Sequence, residues 1–165
     1  MQLSQFHDNR DFHSLQSVMD LGMSLQELVR VHEVLARDFA NAGRASTSIK
    51  ETLKHLGVNP VTVRRVAIAS YEAEMNIVMY ANRGVMTLKV SPDSITLEVQ
   101  DEGPGIPNIP LAMQEGYSTA TPEMREMGFG AGMGLPNIQR NADVFEITSE
   151  VGRGTRLFIQ VNHGS

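Results

Sequence analysis

Within the mostly apolar run from Ala69 to Ala81, two polar residues, Glu72 and Asn76, stand at a spacing of four. In a helix that spacing puts both side chains on one face, about 5–6 Å apart between Cβ atoms. A carboxylate and an amide projecting together either cap a neighbouring element or line a site. Glycines form the second constellation. In D-E-G-P-G-I-P, Gly103 and Gly105 permit close approach of the backbone to another group. In G-F-G-A-G-M-G-L-P-N, glycines stand at alternate positions, Gly128, Gly130, Gly132 and Gly134, ahead of a helix from about Leu135 to Ala142. Glycine backbone N–H groups can meet an anion there, and the helix N-terminus adds partial positive charge. The chemistry this suits is phosphate binding.

The elements around these residues decide where they point. Ala45, Ile49, Leu53 and Leu56 recur at helical spacing over Ala42–Leu56, and Gly57 follows as a stop. Asn59 and Pro60 then supply an N-cap and a first-turn proline for the helix carrying Glu72 and Asn76, which is expected to run to about Ala81 and to be ended by Gly84. Met86, Leu88 and Val90 alternate with polar residues, as do Ile95, Leu97 and Val99 after the turn S-P-D-S, so one sheet face is apolar and the other polar. Extending the parity puts Asp101 on the core side, where a carboxylate needs donors. A last hairpin over about Phe145–Glu150 and Thr155–Val161 puts Thr155 on the same side as Leu157, Ile159 and Val161, so Asp101 and Thr155 are candidates to share a partner. Between the glycine segments, Asn108–Met127 reads as a loop region with one short helical piece, Ile109–Glu115. At the other end, Leu15, Val18 and Met19 suggest a short amphipathic helix ending near Gly22, S-L-Q-E at 24–27 fits a capping box, and Val29, Val31, Glu33 and Leu35 alternate like a strand.

Bulk properties bound the class. A chain of 165 residues is one domain with room for a core, and 41% hydrophobic and 20% charged content is ordinary for a globular protein. A net charge of −5 argues against nucleic acid or an anionic membrane as partner. The absence of cysteine excludes disulfides, thiolate metal sites and a cysteine nucleophile. No apolar run approaches 18 residues and the first residues lack the regions of a signal peptide, so a cytoplasmic address is expected. The five histidines lack metal-ligand spacing and read as surface residues. The glycine segment is no Walker A motif, because no G-K-[ST] follows, and no dinucleotide fingerprint, because no strand–turn–helix unit leads into it.

Taken in order, E-x-x-x-N on a helix, D-x-G-x-G-I after a strand, G-x-G-x-G-x-G-L before a helix and G-x-G-T opening a strand form a specific combination. It resembles the GHKL ATPase superfamily, with Y-E-A-E-M-N similar to its N box, D-E-G-P-G-I to its G1 box and G-F-G-A-G-M-G-L to its G2 box. E-G-Y-S-T and E-I-T-S-E-V-G-R-G-T look most like the bacterial anti-sigma-factor and switch-protein serine/threonine kinases within it, and the likeness covers roughly residues 30–162. The resemblance implies an α+β Bergerat fold, a two-layer sandwich whose mixed, mostly antiparallel sheet is covered on one face by helices. Residues 29–165 would form the ATP-binding kinase domain and 1–28 an extension without a family role. ATP and Mg²⁺ are the implied cofactors. The implied roles are a catalytic base for Glu72, a metal ligand for Asn76 and an adenine acceptor for Asp101, supported by Thr155 directly or through water. Gly103, Gly105, Ile106, Gly130, Gly132, Met133, Gly134 and Leu135 would line the nucleotide site, with 108–127 as lid. Glu74, two residues from Glu72, faces elsewhere and serves as the structural control for it. The implied activity is phosphorylation of serine or threonine on a STAS-type antagonist in a partner-switching pathway, with a sigma factor or other regulator as a further partner and homodimerisation left open. The alternatives are an ATP-dependent regulator-binding module with little kinase activity and a stand-alone histidine-kinase-type ATP-binding domain. Met79 stands where many sensor kinases carry lysine, and no upstream hairpin offers a phosphoacceptor histidine, which speaks against a self-contained sensor kinase.

Overall fold

A computed structural model describes residues 27–163. The expected helix around Leu15–Met19 and most of the capping box at 24–27 lie outside the described residues. The described chain forms one sheet covered on one face by helices, as the α+β reading requires. Strand β1 (Leu28–Leu35) is followed by helices α1 (Arg44–His55) and α2 (Pro60–Tyr80), then by the hairpin β2 (Arg83–Val90) and β3 (Ser94–Asp101). Two short helices, α3 (Ile109–Ala112) and α4 (Pro122–Glu126), precede α5 (Gly134–Asn141) and the final hairpin, β4 (Val144–Glu150) and β5 (Gly154–Asn162). The strand order is β1-β2-β3-β5-β4, and every described pair is antiparallel, so the expected mixed sheet has no parallel pairing among these strands.

Parity along the strands sets the core. Met86, Leu88, Ile95, Leu97, Val99, Leu157, Ile159 and Val161 are buried on the helix side. On the open side, Glu98 takes Lys89 from one neighbouring strand at 3.0 Å and Arg156 from the other at 3.3 Å, cross-strand pairs that suit a solvated face. In β1 the alternation is inverted, because Val29, Val31 and Leu35 are exposed on the open side while Val34 is buried under the helices. His32 also points inward, contrary to its reading as a surface residue. Its Nε2 is buried without a partner, and burial lowers its pKa.

The central element is α2, which packs on the sheet and lies between α1 and α5. Asn59 Oδ1 accepts from Val61 N at 2.8 Å, and Pro60 opens the helix without wasting a donor. The helix ends at Tyr80 with Ala81 extended, so Gly84 is not its stop. Gly84 instead lies within β2 opposite Asp101, and an added Cβ would stand 2.7 Å from Ile77 Cδ1. It is a packing glycine that lets α2 press against the sheet.

Glu74 answers the question of capping. Its carboxylate is buried and accepts from the backbone N–H groups of Gly43 at 3.0 Å, Ala45 at 3.1 Å and Ser46 at 2.8 Å. Helix α1 has no acidic residue in its first turn, and Gly43 offers no side-chain cap. A carboxylate from α2 satisfies these orphan donors and meets the positive end of the α1 dipole. Glu74 caps a neighbour, and Glu72 and Asn76 turn the other way.

Candidate active site

Eleven of the twelve residues singled out above, all but Gly103, line one cavity of about 600 Å³ between α2, the sheet and the segments flanking α5. Glu72 and Asn76 descend from α2 onto the same edge of Gly134. A Cβ at Gly134 would stand 3.4 Å from Glu72 Oε2 and 3.4 Å from Asn76 Oδ1, so its absence leaves room there for a ligand. Gly103 lies behind Asp101 rather than in the cavity. A side chain on it would come within 2.9 Å of Asp101 Oδ1 and 3.2 Å of Ala81 Cα. Its size holds the carboxylate in position instead of making room for a base.

Asp101 is half-buried at the sheet end of the cavity, and its Oδ1 accepts from the backbone N–H of Thr155 at 3.1 Å. Burial raises its pKa, against the backbone hydrogen bonds from Thr155 and Gly103. No side chain among the described residues donates to this carboxylate. The expected partnership with Thr155 therefore runs through the main chain. The Thr155 hydroxyl is engaged with Ser149 Oγ at 2.8 Å. Ser149 also donates to the Gly154 carbonyl at 3.0 Å and accepts from Ile106 N at 2.7 Å, joining the G1-like loop to the last hairpin. The sequence reading passed over Ser149, although its parity with Phe145 and Ile147 marks it as a polar residue on the core side.

At the opposite end Asn137, also unanticipated, donates its Nδ2 to Glu72 Oε1 at 3.0 Å. The signal for it was its place in the first turn of the helix that follows the glycine run. The glycine loop faces the segment 108–127. Gly132 adopts φ of +75°, and a Cβ there would collide with the backbone of Gly116. The Gly116 N–H donates to the Gly132 carbonyl at 2.9 Å, and Glu115 pairs with Arg140 of α5. Within this segment the expected helical piece is shorter, Ile109–Ala112, capped by Asn108. T-P-E-M-R-E, read as loop, forms α4, with Thr121 as N-cap, Pro122 at the first position and Met124 buried.

The cavity can hold a nucleotide. It offers a carboxylate acceptor at one end, glycine N–H groups before a helix at the other, and two oxygen-bearing side chains between. A family model describing the histidine kinase-like ATPase domain matches residues 35–161. The chain belongs to this ATPase family. Among curated relatives, the serine/threonine-protein kinase RsbT of Bacillus subtilis is 32% identical over 112 residues, 66% of this chain and 78% of that protein. An anti-sigma F factor of a Thermoanaerobacter species is 39% identical over 95 residues, 54% of this chain and 63% of the relative. Another, of Clostridium kluyveri, is 30% identical over 125 residues, 73% and 84% of the two chains. The match thus spans just under two thirds of the Thermoanaerobacter relative and more of the other two. Among the described residues no helix of this histidine kinase-like ATPase is long and apolar enough to cross a membrane.

Proposed function

We propose that this chain is an ATP-dependent serine/threonine kinase of the anti-sigma-factor or switch type, acting on a STAS-like antagonist in a partner-switching pathway. The observation that carries the reading is the Glu72–Asn76 pair beside Gly134, in one cavity with Asp101 at its far end. Asp101 would accept from the adenine amino group. The N–H groups around Gly130, Gly132 and Gly134 would meet the phosphates at the start of α5. Asn76 offers an amide oxygen, a hard donor that suits Mg²⁺, an ion that completes its shell with phosphate oxygens and water. When bound, the ion supplies charge neutralisation for the transferring group. Glu72 Oε1 is held by Asn137, which leaves Oε2, the oxygen facing Gly134, to orient the acceptor hydroxyl and take its proton. The likeness to factors named for sigma binding supports a second reading, in which ATP occupancy holds or releases a sigma factor.

The test is transfer of labelled phosphate from ATP, with Mg²⁺, to STAS-domain proteins of the source organism. Serine or threonine should be modified, and Glu72→Ala should slow transfer by about 10²–10³-fold. Its ATP affinity should stay within about threefold of the wild type, because the removed group acts on the hydroxyl. Tight ATP binding without transfer to any STAS protein would favour the binding module.

A further inference from the structure

Glu72 belongs to two cavities. Besides the nucleotide site it closes a separate groove of about 630 Å³ between α1 and α2. The α2 wall of this groove is Arg64, Ala67, Ile68, Tyr71 and Glu72, a spacing that repeats along one helix face. Lys50 and Lys54, one turn apart on α1, form the opposite rim. The floor is thus apolar, the rim carries three cations, and one end opens at the proposed catalytic carboxylate. Lys54 is paired with Glu51 at 3.1 Å. Among the described residues neither Lys50 nor Arg64 has a carboxylate within ion-pair distance. On a chain of net charge −5, this cluster inverts the local sign of the surface.

We propose that this groove receives an acidic segment of the protein that carries the acceptor hydroxyl. The inference rests on the kinase reading and specifies its substrate. Opposite charge steers such a segment to the groove against the repulsion of the acidic molecule. The apolar floor takes one aliphatic or aromatic side chain, and Glu72 at the end of the groove meets the hydroxyl. From Arg64 to Glu72 is eight residues of helix, about 12 Å at a rise of roughly 1.5 Å per residue. Extended chain covers that distance in about four residues at roughly 3.3 Å each. The acceptor segment therefore carries a carboxylate about four residues from its serine or threonine, with an apolar residue between them.

The probe is a set of fluorescein-labelled ten-residue peptides with a central serine, one leucine, and glutamate or lysine four residues to either side. Binding to the full chain in ADP and Mg²⁺ is read by anisotropy. The glutamate peptides should bind about tenfold more tightly than their lysine counterparts, less so at high salt. The double substitution K50E/R64E, on exposed positions, should reverse the preference and leave ADP affinity unchanged. Absence of binding, indifference to peptide charge, or selectivity that survives K50E/R64E would overturn the groove assignment. Self-association abolished by K50E/R64E, without peptide selectivity, would overturn it in favour of a second copy of the chain. Transfer from labelled ATP to STAS-domain proteins, measured alongside, separates the two claims. Selective binding without transfer leaves the groove standing and removes the kinase reading. Undiminished transfer from K50E/R64E to a STAS partner does the opposite.

Discussion

Burial raises the affinity of the Asp101 carboxyl for its proton, while the N–H groups of Thr155 and Gly103 favour the charged form. In the proposed role of adenine acceptor, Asp101 would have to be ionised. Its raised pKa keeps the protonated form present to higher pH than the ordinary value of about 3.9. ATP affinity should accordingly fall as the pH is lowered, starting above the range in which an exposed aspartate titrates. Asp101→Asn should weaken ATP binding by about 10–100-fold, measured by calorimetry at neutral pH, because a charged acceptor is replaced by an amide. Unchanged affinity would remove Asp101 from the adenine site. This residue was legible because the period of a strand is two, and parity fixes the face of a side chain. Parity says nothing about which atom of the facing residue arrives, so the main-chain contact of Thr155 was not readable. Ser149 obeyed the same rule and could have been found by it.

Glu74 couples α1 to α2 through three backbone N–H groups without lining the cavity that Glu72 and Asn76 face. Glu74→Ala would leave those donors buried and unpaired and remove the charge at the start of α1. The expected loss is roughly 2–4 kcal/mol of stability, read as a lower urea midpoint at unchanged m-value. ATP affinity of the folded fraction should stay within about threefold of wild type. A loss of ATP affinity with unchanged stability would mean that Glu74, not Glu72, serves the site. The helix pattern showed that residues 72 and 74 face different ways. It could not show what waited for Glu74, because its partners lie about thirty residues earlier and are main-chain groups. Gly84 was misplaced for a similar reason. A glycine shortly after a helix reads locally as a stop, whereas its use here, room for Ile77, comes from tertiary packing. In α4 the cap and proline were present in sequence, but only five residues of helix follow them, too few for a periodic signal.

Across the whole molecule, Asp143 joins the helix layer to the sheet. It accepts from Arg65 of α2 at 2.9 Å and from the backbone N–H of Asn162 at the end of β5 at 2.7 Å. The hydrogen bond from Arg65, and then that from Asn162, lowers its pKa. The stability it contributes is complete above its unfolded pKa, about 3.9, and is lost as pH falls through the lower folded value. Asp143→Asn should therefore flatten the acid limb of a plot of urea midpoint against pH, while leaving nucleotide binding intact. The strand order β1-β2-β3-β5-β4 has a further consequence for how the molecule is made. The latest described strand inserts beside β3, and its Thr155 supplies a backbone donor to Asp101. A ribosome-bound chain that has emerged only as far as the G2-like loop thus carries Asp101 but lacks the backbone donor that β5 brings to it. If Asp101 takes the adenine as proposed, nucleotide should stabilise the protein fully only once β5 has docked, which would make ATP a ligand of the finished fold and not a template for it.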